Sequence, residues 1–144
     1  MLNSNLANPL SRKVSTEFIQ SARLELQQLL STVSGVQYVM LCSSDGFEIV
    51  SVYKREISNG GKIAAVSSSI LAMTTAFLQE IQLTGCQSLT LDAENGKALL
   101  TAVPSQHAMV LVTLTGKECL LGQLLYEIRQ TSQALIQLDQ RYAA

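Results

Sequence analysis

The sequence predicts an α+β fold: a five-stranded, mainly antiparallel sheet with helices on its faces, in the order α-β-β-α-β-β-β-α. Three observations point there. Three segments repeat their apolar residues at the helical period. Asp45-Gly46 and Asn95-Gly96 each separate a pair of β-favouring runs, the signal of a hairpin. The chain is 144 residues long. That is one domain's worth, enough to bury roughly 68–70% of its unfolded surface without disulfide support.

The elements follow in order. Residues 1–14 are polar, contain Pro9 and lack the apolar run of a signal peptide, so they are expected to form a mobile arm ahead of a domain at 15–144. The first helix is expected over 16–33. Ser15 or Thr16 can cap it, Glu17 favours its first turn, and Ile19, Ala22, Leu26, Leu29, Leu30 and Val33 form its stripe. Gly35 ends it. A hairpin of 36–42 and 47–53 turns at Ser43-Ser44-Asp45-Gly46. A polar loop, 54–61, precedes a long helix at 62–83, closed by Gly85. Strands at 88–93 and 98–103 flank the second turn, 94–97. A link at 104–107 leads to the strand 108–115. The last helix, 118–139, carries Leu121, Leu124, Leu125, Ile128, Leu135 and Leu138 on one stripe, with Glu127, Arg129, Gln130 and Gln137 toward solvent.

Composition narrows the function classes. Lys plus Arg is 10 and Asp plus Glu is 11, a formal net charge of −1, so the basic excess of a phosphate-binding nucleic-acid partner is missing. Charged residues make up 15% against a norm of about 25%, which suggests that part of the surface is covered by a partner. No uninterrupted apolar run reaches about 18 residues, so no membrane insertion is expected. Cys42, Cys86 and Cys119 are odd in number and widely spaced, unlike a disulfide framework or a zinc site. Reduced thiols and a cytoplasmic location are the expectation.

The central helix is the informative element. It holds no charged residue between Lys62 and Glu80. Ile63, Val66, Ile70, Met73, Phe77 and Ile81 fall within about 80° of arc and read as its core stripe. A flank of Ala64, Leu71, Thr75 and Leu78 and a back of Ala65, Ser68, Ser69, Ala72, Ala76 and Leu83 stay small or apolar where charges should appear. A helix uncharged on every side is usually buried on more than one. The second covering is either another molecule or the last helix or N-terminal arm of the same chain. A second molecule is the expectation, and with it a dimer at micromolar concentration.

Candidate chemistry is sparse. His107 is the sole histidine, and a thiol nucleophile would pair it with Cys42 or Cys119, the latter opening a helix where thiol pKa values fall. Surface histidine and half-buried thiols are the expected reading. Asp45, Glu48, Asp92 and Glu94 are scattered, and Asp92 with Glu94 reads as a solvated strand end. Asn59-Gly60-Gly61-Lys62 resembles an anion-binding helix start but lacks a nucleotide signature, so a flexible loop is expected. Tyr38, Phe47 and Tyr53 read as hairpin packing rather than base stacking. No catalytic residue, metal or cofactor is expected.

The ordered pattern resembles the roadblock family, that of the roadblock dynein light chain and bacterial mutual-gliding protein B. The resemblance rests on Leu30-Ser31-Thr32-Val33-Ser34-Gly35-Val36, the strand into Ser44-Asp45-Gly46-Phe47-Glu48-Ile49-Val50-Ser51, the Ala- and Ser-rich central helix, and residues 98–103 followed by a polar link into a Val/Leu strand. It spans roughly residues 16–139. It implies a roadblock/profilin-like sandwich and a non-enzymatic role. Roadblock dimers form through the central helix and the following edge strand. They bind Ras-like small GTPases, some stimulating hydrolysis without inserting a catalytic residue, or serve as scaffolds and adaptors in motor and signalling complexes. The resemblance therefore implies a homodimer, or a pair with another roadblock chain, that modulates a small GTPase. Its interface would hold Ala64, Ala65, Ser68, Leu71, Ala72, Thr75, Leu78 and Gln79 of the helix, with Leu89 and Leu91 of the strand. A small-ligand sensor or an adaptor without GTPase binding is the alternative. Arg55, Glu56 and Lys62 border an unusual Ser-Asn-Gly-Gly loop, which leaves the identity of the GTPase open.

Overall fold

A computed structural model describes residues 14–57 and 59–142. The elements are α1 (Thr16–Thr32), β1 (Val36–Ser43), β2 (Glu48–Tyr53), α2 (Gly60–Glu80), β3 (Ser88–Ala93), β4 (Gly96–Val103), β5 (Met109–Thr115) and α3 (Leu121–Tyr142). The expected order holds. The strands form one sheet in the order β2-β1-β5-β4-β3, every neighbouring pair antiparallel. The arm expected at 1–14 lies outside the described residues except for Val14, which packs on the core.

Local chemistry sets the element ends. The Ser15 hydroxyl accepts from the Phe18 N–H at 3.0 Å and satisfies one of the orphan donors of α1. Gly35 follows in the left-handed region, φ 97°, a conformation that costs glycine little. In the β1–β2 turn the Gly46 N–H bonds the Ser43 carbonyl at 3.0 Å, and Gly46 takes φ 98°. A three-residue loop of this kind places its glycine in that region.

Two apolar layers sandwich the sheet. Helices α1 and α3 pack together on one face, over Val39 and Leu41 of β1, Val50 and Val52 of β2, Leu99 and Val103 of β4, and Met109 and Leu111 of β5. Helix α2 lies alone on the other, over Tyr38, Met40, Cys42, Leu100, Val110 and Val112. Alternate residues of β1 and β5 enter opposite layers, as the period of two requires. Both strands are buried on both faces and so read as continuous apolar runs. The edge strand β3 is different: Leu89 is half-buried beside the α2 layer, and its other residues are exposed.

The expected stripes of α1 and α3 face the core, with additions. Phe18 is fully buried. Leu121 is exposed, because it stands at the first residue of α3. The stripe assigned to α2 is wrong. Val66, Met73, Phe77 and Ile81 are exposed, and Ile63 and Ile70 are half-buried. The residues buried under α2 are Ala64, Ser67 and Leu71. The physical reason is closeness. Small residues let the α2 backbone approach the sheet, and the helix meets the Gly46 turn, where a Cβ would come within 3.3 Å of the Ala65 Cα. Val66, Met73 and Phe77 are turned outward.

Candidate functional site: the open face of α2 and the β3 edge

The outward side of α2 is apolar where a solvent-facing helix carries charge. Val66, Met73 and Phe77 lie within about 40° of arc at 100° per residue. They are 47%, 66% and 61% exposed. Ala65, Ser69, Ala72 and Ala76 run beside them and are exposed too. Small side chains in a row permit close approach of another helix. The helix's hydroxyls do little to make it polar. Ser68 and Ser69 donate to the Ala65 carbonyl, Thr74 to that of Ile70 and Thr75 to that of Leu71, at 2.8–3.1 Å. Ile81 and Leu83, just past the helix, are also exposed.

The β3 edge adds backbone to this surface. One side of β3 pairs with β4, and no strand among the described residues pairs with the other. Leu89 and Leu91 alternate onto the α2 side of the sheet, and Leu91 is exposed. An uncovered edge beside an uncovered apolar helix is a surface suited to pairing.

The residues expected at an interface divide into three groups. Ala65, Ala72, Gln79 and Leu91 are exposed. Ser68, Thr75, Leu78 and Leu89 are half-buried. Ala64 and Leu71 are packed against their own sheet and offer little surface to a second chain. Sequence reasoning missed Val66, Met73 and Phe77, because bulk at the helical period reads as core.

The sequence matches the Roadblock/LC7 domain over residues 23–114. The chain belongs to the Roadblock/LC7 domain family. Solved structures agree on the fold. A structure of MglB in a tetrameric arrangement superposes with a TM-score of 0.83 at 17% identity, covering 92% of this chain and 97% of that one. MglB of Myxococcus xanthus gives 0.82 at 15%, with 93% and 98% covered. The gliding protein MglB from Thermus thermophilus gives 0.81 at 16%, with 91% and 97% covered. No curated protein matches the sequence significantly. Family and fold are consistent with a non-catalytic regulatory or scaffold role, since roadblock domains are scaffolds rather than enzymes.

The other groups that could carry chemistry have structural explanations in this roadblock domain. Burial, reinforced by Glu48 and then Asp45, pushes the Cys42 thiol up to about 12. Burial also raises Cys119, against the lowering expected from a helix start; the helix begins only at Leu121. Neither thiol is activated as a nucleophile. His107 pairs with a carboxylate instead. Its Nδ1 lies 3.0 Å from Asp139 Oδ1, and its backbone N–H donates to Asp139 Oδ2 at 2.9 Å. Asp139, buried on α3, thus ties the β4–β5 link to the last helix.

The Asn59-Gly60-Gly61-Lys62 segment is the capped start of α2 rather than a loop. Asn59 Oδ1 accepts from the Lys62 N–H at 3.2 Å, and the Glu48 carboxylate sits against Gly60. Tyr38 and Tyr53 stack across β1 and β2, with ring centroids 6.2 Å apart. Asp92 pairs with Lys97 at 2.8 Å. Among the described residues, no group of three or more His, Cys, Asp or Glu is placed to hold a metal ion. Helix α2 is long and apolar enough to cross a membrane, yet it lies along the sheet with Ala64, Ser67 and Leu71 against it.

Proposed function

We propose that this chain is a homodimeric, non-catalytic platform that binds a Ras-like small GTPase and modulates its GTP cycle. The observation that carries the reading is the open apolar face of α2. Val66, Met73 and Phe77 are uncovered by the rest of the described residues, although the helix has no charge between Lys62 and Glu80. Burying such side chains contributes roughly 1.5–3 kcal/mol each, enough for a few to drive association. Two copies meeting through α2, with the β3 edges side by side, would cover the face and pair the edge backbone. Pairing with a second roadblock chain would use the same surface.

The GTPase partner is supported by family membership. The test is a pull-down from cytosol on the immobilised protein with GTP and with GDP. A Ras-like GTPase retained with GTP and reduced with GDP is expected. Ala72→Arg, at an exposed α2 position, should disrupt the platform and the retention together while circular dichroism stays unchanged. Equal recovery with both nucleotides, or undiminished recovery by the variant, contradicts the reading. Cytoplasmic placement follows from the same proposal, since that is where such a partner would be met.

A further inference from the structure

A second feature stands apart from the α2 face. A cleft of about 320 Å³ opens between α3 and the β4 side of the sheet, on the face away from α2. That volume is at the lower end of the range for small-molecule sites. Leu125, Ile128 and Ile136 of α3 form an aliphatic wall, and Pro104 also lines the cleft. Among the described residues, no aromatic ring and no acid lines the cleft, and Arg129 is the one charged residue in its lining. Such walls suit an alkyl chain, and the lone cation suits an anion.

The floor supplies an independent observation. Thr101 is 8% exposed, and its hydroxyl is buried with no hydrogen-bond partner among the described residues. A buried hydroxyl left unpaired is unfavourable and calls for an acceptor or donor nearby. Thr101 lines the cleft, and one χ1 step carries its hydroxyl to the place its methyl group holds. A carboxylate in the cleft would accept from that hydroxyl and from the Arg129 guanidinium, both charge-assisted hydrogen bonds.

We propose that this cleft binds a small aliphatic monocarboxylate, its alkyl chain along the α3 wall and its carboxylate held by Arg129 and Thr101. The site is independent of the GTPase reading and would stand if that reading failed.

The experiment titrates the full chain with sodium decanoate, below its micelle concentration, and follows backbone amide resonances. Saturable shifts centred on Thr101, Ala102 and Ser132 are expected. Arg129→Gln should weaken decanoate binding at least fivefold and leave decanol, which lacks the carboxylate, within twofold. Thr101→Val should weaken decanoate at least fivefold while leaving the unliganded protein as stable as before or more so. No saturable shift overturns the proposal. So do shifts confined to Met73 and Phe77, which would mean an amphiphile coating the α2 face, and so does unchanged affinity in Arg129→Gln. If Thr101→Val fails to fold, Arg129→Gln, at an exposed position, decides the matter alone.

Discussion

Gly96 shows how a glycine can be required by space alone. A Cβ at this position would press into the Thr115 carbonyl oxygen, a backbone atom that cannot swing aside. Gly96→Ala is therefore expected to destabilise the fold by about 2 kcal/mol or more, read by urea denaturation. Asp139 is a second single-residue anchor. Asp139→Ala removes both acceptors facing His107 and should cost about 1–3 kcal/mol in the same assay. Cys42 makes a pH prediction. Its thiol is raised from 9.0 to about 12 by burial, with Glu48 and Asp45 adding to it. Below pH 9 both folded and unfolded chains hold the proton, so the stabilisation is complete. Between 9 and 12 the unfolded chain releases it first, and stability should fall by up to about 1.4 kcal/mol per pH unit. Cys119 and Tyr38, also raised by burial, act in the same direction. Cys42→Ala should flatten the decline without abolishing it.

At the scale of elements, α2 carries two apolar sides with different duties. Leu71 holds the helix to the sheet; Met73 and Phe77 face away from it. Leu71→Glu is expected to unfold the chain or lower its melting temperature sharply. Phe77→Glu is expected to leave the circular dichroism spectrum unchanged and to convert dimer to monomer. The same helix marks the limit of what the sequence makes legible. The strands, both hairpins and the Ser15 cap could be read, because turn glycines, period-two runs and capping residues act locally. The absence of charge on α2 was also visible, and it pointed to a helix with more apolar surface than its own sheet covers. Which side met the sheet was not visible. Charge normally marks the outer face, and α2 has none to mark it. Asp139 was hidden for the converse reason: a carboxylate on the last turn of a helix reads as solvated until the distant His107 loop is placed over it.

For the molecule as a whole, the covering is unequal. Among the described residues, helices α1 and α3 close one face of the sheet, whereas α2 alone covers the other and β3 is left bare at its edge. The low overall charge fits a chain with surface reserved for a partner. A symmetric pair joined through α2 would place the same residues on both sides of the contact, so each α2 substitution acts twice. The most direct test is sedimentation equilibrium on the wild-type protein at micromolar concentration, with Met73→Glu run alongside. The expected result is twice the chain mass for the wild type and a single chain mass for the variant. A wild-type protein that sediments as one chain at that concentration would contradict the dimer and the platform built on it.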